Sequence, residues 1–104
     1  MKHILFLLKM PFEDPNVEGI INTTWFCSHC ALIEGALLCN PHWEAHIDIR
    51  RISFEKPREE LIDILGDEQQ WLPVLVLPTG AHVTDPEEIT GFLARTYSGA
   101  APHP

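Results

Sequence analysis

Trp25-Phe26-Cys27-Ser28-His29-Cys30-Ala31-Leu32-Ile33-Glu34-Gly35 sets two cysteines three residues apart, directly before a segment whose apolar residues recur with helical spacing. Ile33 with Leu37, and Leu32 with Ala36, stand four apart. That spacing predicts an amphipathic helix running to about Cys39, capped by Cys27 or Ser28 and ended by Asn40-Pro41. Upstream, Ile4-Leu-Phe-Leu-Leu8 is an unbroken apolar run, as expected of a central strand buried on both faces. Between the two, residues 9–24 carry Pro11, Pro15, Gly19 and Asn22 and read as a long loop.

Working downstream, His46-Ile-Asp-Ile-Arg50 alternates apolar and polar residues, and Arg51-Ile-Ser-Phe54 continues with the phase shifted. This predicts a second strand with a bulge or irregular end, parallel to the first if the helix is a crossover. Pro57 stands where a first helical residue would, Leu61, Ile62 and Leu65 supply an apolar side, and Gly66 suits the helix end. Trp71-Leu-Pro-Val-Leu-Val-Leu77 reads as a strand opening on a proline, with Pro78-Thr79-Gly80 as a turn and residues 81–84 as a hairpin partner. Asp85-Pro86-Glu87-Glu88 has the form of a helix start, with Asp85 as N-cap and Glu88 at N3. Ile89, Phe92, Leu93 and Tyr97 give that last helix its apolar face. The order is β-α-β-α-β-β-α, an α/β domain over residues 1–97 with a central mixed sheet flanked by helices. Residues 98–104 read as a flexible tail.

The chain has 104 residues and a net charge of −8, from seven Lys and Arg against fifteen Asp and Glu. One domain of this length buries enough surface for a core without disulfide staples. Its charge repels phosphate backbones and anionic lipid, so neither nucleic acid nor membrane is an expected partner. The apolar run near the start is too short for a signal-peptide core or a spanning helix, and a cytoplasmic location is expected. Three cysteines do not make a disulfide framework, and in a reducing compartment a close pair is more often catalytic or metal-binding.

A CxxC opening a helix sets its first sulfur beside unpaired backbone N–H groups and the positive end of the helix dipole. Cys27 is therefore the candidate nucleophile, and Cys30, one turn on, the candidate resolving thiol. His29 lies between them and is the candidate tuning residue. Trp25 and Phe26 form a candidate apolar rim for a partner protein. Arg50 and Arg51 are candidate carboxylate anchors, but neighbours in a strand face opposite sides, so at most one serves a given site.

With these residues in place, the chain resembles the thioredoxin-like superfamily over most of its length, through the order of elements, Trp25 to Cys30, and Leu72-Pro73-Val-Leu75. The resemblance implies a cis Pro73 against the redox pair, with the Leu72 backbone pairing with a substrate peptide or glutathione. The C-terminal half resembles the N-terminal domains of glutathione transferases and glutaredoxins, in which the start of the last helix holds the γ-glutamyl end of glutathione. That role falls on Asp85. Where the pattern carries Glu-Ser or Gln-Ser, this chain has Asp85-Pro86, which removes one hydroxyl and one N–H donor. Cys27 to Gly35 also looks like the Cys-x-His-Cys-Ala-x-Ile-Glu-Gly stretch of a small group of bacterial thioredoxin-like proteins. What the resemblance implies is a thiol–disulfide oxidoreductase that acts on protein disulfides or glutathione and requires no cofactor.

Two other readings stand beside it. A thioredoxin-like fold also serves as a non-catalytic docking scaffold, here through Trp25, Phe26 and Trp71. Cys27, Cys30, Cys39 and His42 are residue types that bind zinc, although one unbroken helix would hold Cys39 roughly 13 Å from Cys30.

Overall fold

The computed structural model describes residues 2–17, 23–66 and 68–104. Residues 18–22, which include Gly19 and Asn22 of the expected long loop, lie outside them. The apolar run forms strand β1 (His3–Leu8). It is central because its residues are apolar at odd and even positions alike. Leu5 and Leu7 enter one core cluster and Phe6 the other, all fully buried.

Four strands make one mixed sheet in the order β2-β1-β3-β4. Strand β2 (Ile47–Ile52) runs parallel to β1, with His3 opposite Ile47 and Leu8 opposite Ile52. Strand β3 (Val74–Val76) lies antiparallel on the other side of β1, and β4 (His82–Val83) pairs antiparallel with β3. Between β1 and β2 come helix α1 (Ser28–Cys39) and a 3-10 helix (Pro41–Ala45); α2 (Glu59–Leu65) follows β2 and α3 (Pro86–Tyr97) follows β4. The result is an α/β fold of the expected element order with one 3-10 helix added.

Two layers of helix cover the sheet. Ile33 and Leu37 of α1, Ile89 and Leu93 of α3, and Trp43 of the 3-10 helix pack with Leu5, Leu7, Ile47 and Leu75 on one face. Leu61 of α2 packs with Phe6, Ile52, Val74 and Val76 on the other. Each such large apolar side chain taken from water contributes about 1.5–3 kcal/mol.

Several boundaries differ from the sequence reading, for identifiable reasons. Strand β2 is continuous and carries no bulge. The phase shift arises because Ile47 packs in the α1 and α3 cluster while Ile52, five residues on, packs in the α2 cluster. Helix α2 begins at Glu59 rather than Pro57, which follows a cis peptide bond from Lys56. Strand β3 is only three residues long, since Trp71, Leu72 and Pro73 precede the ladder. In α1, Ile33 and Leu37 are buried as predicted, but Leu32 is exposed.

Residues 98–100, which the sequence placed in a tail, are hydrogen-bonded to the domain. The Ser98 carbonyl accepts from the Trp43 indole (2.8 Å) and pairs with His42 Nε2 (2.7 Å). Buried Asn40 donates to the Ala36 and Ala100 carbonyls (2.9 and 3.1 Å) and accepts from the Ala100 N–H (2.7 Å). Gly99, at φ 140°, lies against this amide so closely that a Cβ there would collide with Asn40 Oδ1. Among the described residues, no helix is long and apolar enough to cross a membrane.

Candidate functional site

The first turn of α1 builds the site. Cys27 is the N-cap residue, extended at φ −85° and ψ 119°, and its sulfur accepts from the Cys30 N–H at 3.4 Å. A thiol thus fills the role usually taken by a Ser or Asp oxygen, at a helix end where N–H groups lack intrahelical partners. Its own N–H donates to Met10 Sδ at 3.1 Å, tying the turn to the segment that leaves β1. Two residues earlier, Trp25 forms an antiparallel bridge with Phe12 through bonds of 2.7 and 3.0 Å. The dithiol turn is held from both sides of the chain that enters it.

The two cysteines have different surroundings. Cys27 is half-buried, whereas Cys30 is wholly enclosed in the core with Leu5, Leu7 and Ile33. Burial pushes the Cys30 thiol up to about 12. A hydrogen bond with the Leu8 backbone pulls the other way, and the Cys27 charge and hydrogen bond and the Glu34 charge add to the rise. All three cysteines are free thiols.

Arg58 is half-buried just before α2, and its guanidinium is fixed by carbonyls: Nε and Nη2 donate to Phe54 O (3.2 and 2.7 Å) and Nη1 to Gln70 O (2.6 Å). It lies over the Phe54 ring at 5.6 Å, and Phe54 stacks on Phe12 at 4.5 Å. Burial lowers the Arg58 value, while charge on Cys30 and on Cys27 works against that lowering. The sequence reading missed this residue. Its signal was faint: Arg58 caps α2, where a cation opposes the helix dipole, so a positive charge there has no local purpose.

The remaining predicted residues divide into those near the pair and those with other roles. The Leu72–Pro73 bond is cis, as the resemblance implies. Pro73 is buried, and Leu72 packs against both core clusters, the first of which also takes in Cys27 and Cys30. Phe26 and Trp71 are 69% and 66% exposed, with the Lys56 ammonium 6.0 Å above the Trp71 ring. His29 is exposed and makes no side-chain hydrogen bond with a described residue. Asp85 caps α3, its carboxylate accepting from the Glu88 N–H at 2.9 Å, and it has no bond to the dithiol turn.

Neither predicted arginine is free to anchor a ligand carboxylate. Arg51 forms a bidentate pair with Glu34 (2.7 and 2.8 Å) on the α1 face. Arg50 turns to the opposite face, over Phe6 and against Asp48. The four residues of the zinc reading are not brought together. Helix α1 is unbroken, so Cys39 lies at its far end, and His42 is engaged with Ser98. Among the described residues no three His, Cys, Asp or Glu side chains form a group suited to a metal ion.

No curated protein and no solved structure matches the chain. A match to the family model described as Protein of unknown function (DUF3088) runs over residues 2–100, nearly the whole sequence, and the chain belongs to that family.

Proposed function

We propose that this protein is a thiol–disulfide oxidoreductase of thioredoxin-like fold, with Cys27 as nucleophile and Cys30 as resolving thiol. The observation that carries the reading is the Cys27 sulfur in the N-cap position, bonded to the N–H of a buried Cys30 one turn away. A half-buried thiol at a helix N-terminus is the environment of a reactive cysteine. The sheet order β2-β1-β3-β4 and the cis Leu72–Pro73 bond support the fold assignment.

In the proposed reaction, Cys27 thiolate attacks one sulfur of a substrate disulfide. The substrate S–S bond breaks, a Cys27–substrate disulfide forms, and the departing thiolate takes a proton from water. Cys30 Sγ then attacks Cys27 Sγ and displaces the second substrate thiol, which leaves with the Cys30 proton. The dithiol is oxidised by two electrons, and the substrate disulfide is reduced to two thiols. Two small thiols of the glutathione class reverse these steps, leave as their own disulfide and restore the dithiol. Mixed-disulfide formation also neutralises Cys27, removing one cause of the high Cys30 value at the step where Cys30 must ionise.

The test is exchange with a small disulfide, followed by mass spectrometry. Cys30→Ser should accumulate the Cys27 mixed disulfide, and Cys27→Ser should form none. Equal residual exchange in the two variants would sink the assignment. A non-catalytic docking module is the second reading, favoured by the exposure of Phe26 and Trp71. It predicts no exchange in the native chain.

A further inference from the structure

We infer that strand β2 is a self-complementary edge through which two copies of this chain pair antiparallel, joining their four-stranded sheets into one. β2 ends the order β2-β1-β3-β4, and among the described residues no strand lies beyond it. It is also the long edge of the sheet, six residues against the two of β4 on the other side. It has no proline, no bulge and no lysine, the devices that commonly close an edge to a further strand. The Lys9 N–H donates to Ile52 O at 2.8 Å, so residue 52, and by the alternation of the pleat residues 50 and 48, turn their backbone groups to β1. Ile47, Ile49 and Arg51 therefore turn theirs outward, to water or to another strand.

The charges on the strand decide the register. A two-fold axis through Ile49 sets Ile49 opposite its own copy, Asp48 opposite Arg50 of the second copy, and Ile47 opposite Arg51 of the second copy. All three outward-facing residues then meet outward-facing partners, as a hydrogen-bonded antiparallel pair requires. On the α2 face, Asp48 and Arg50 lie 2.8 Å apart within one chain, so two copies build a ring of alternating charge. Opposite charges directly across an antiparallel pair stabilise it, and like charges oppose it. The neighbouring registers fail this condition: an axis through Asp48 sets two carboxylates face to face, and one through Arg50 two guanidiniums. On the other face Ile49, which packs against the α1 and α3 cluster, meets its own copy and extends that apolar layer. The strand carries two arginines against one aspartate, so the chain's charge of −8 is not concentrated on this edge. Each copy uses its β2 edge once, and association closes at two chains. The Cys27 turn lies outside the edge, so the inference is independent of the redox reading.

The test is sedimentation equilibrium of the full chain from about 1 to about 300 µM, over which mass action should carry the native protein from one chain to two. Amide exchange at residues 47, 49 and 51 should slow as the concentration rises, while residues 48 and 50, already bonded to β1, stay unchanged. Ile49→Pro removes an outward N–H and no bond to β1, so the chain should fold and its dimerisation should weaken by about tenfold or more. Asp48→Lys and Arg50→Asp should each weaken it by about tenfold as well, since each sets like charges opposite one another. Mixed one to one, those two variants should form a heterodimer of near-native affinity, because each then supplies the charge the other lacks. A native chain that stays single over the whole range would overturn the inference, even if an extended segment of another protein adds to the edge. So would association that continues past two chains, a dimer that keeps its affinity in Ile49→Pro, or charge variants that do not recover on mixing. If Ile49→Pro does not fold, the charge variants decide, since the Asp48 and Arg50 side chains are 40% and 37% exposed and their replacement spares the core.

Discussion

Cys30 offers the most quantitative prediction. With its thiol pushed up to about 12, roughly 3 in 100,000 copies are ionised at pH 7.5, against about a tenth for a thiol at the ordinary value of about 8.5. That is a deficit of about 3,000-fold in thiolate. A more basic thiolate is intrinsically more nucleophilic, which returns about 30-fold. The net expectation is alkylation about 100-fold slower than that of exposed Cys39, an internal reference on the same helix, with full burial adding to the gap. The assay is residue-resolved mass spectrometry after timed alkylation of the reduced, folded protein. The Cys30 rate should climb about tenfold per pH unit with no plateau to about pH 11. In Cys27→Ser it should rise, because the Cys27 contribution is gone, yet stay below Cys39, because burial is the larger cause. The same raised value has a consequence for stability. Unfolded chains ionise this thiol above about pH 9 while folded ones hold it neutral, so the unfolded state binds fewer protons. Stability then falls with rising pH by about 1.4 kcal/mol per unit until about pH 12, and Cys30→Ala should remove that component of the slope. Folded-state alkylation of Cys30 within about tenfold of Cys39 would refute the reasoning.

Two further perturbations probe the frame. Asn40→Asp replaces an amide that donates to two carbonyls by a buried carboxylate facing them; it should cost about 3 kcal/mol or more at pH 7 in urea unfolding. Because burial raises that carboxyl in the folded state, the gap to the native protein should narrow as the pH falls toward about 4, and a pH-independent difference would count against it. Asp85→Ala removes the α3 N-cap and should lower stability by about 1 kcal/mol, while Asp85→Ser retains most of it. If Asp85 also held a substrate, the rate of disulfide reduction would fall in both variants well beyond the stability effect.

Much of the frame was legible because local rules and tertiary packing agree. Helix α1 has its predicted limits, since Cys27, the Ile33 and Leu37 stripe and Asn40-Pro41 supply start, face and stop within one segment. Asp85-Pro86-Glu87-Glu88 works the same way for α3. The reading of β2 went astray because alternation within one strand does not reveal that its two ends pack against different helices. The short β3 was overextended for a related reason: apolar residues in 71–77 serve the core or solvent as well as the ladder. The pair Asn40 and Ala100 was invisible, being 60 residues apart in the chain.

The order of elements, the central strand and the presence of a dithiol at a helix start are all legible locally, because each depends on residues within about two turns of one another. It took packing between remote segments to enclose Cys30 while leaving Cys27 half open, and to dock residues 98–100 on Asn40 and Trp43. Burial and electrostatic reach depend on distances between segments remote in sequence, and periodicity and spacing carry no information about those distances.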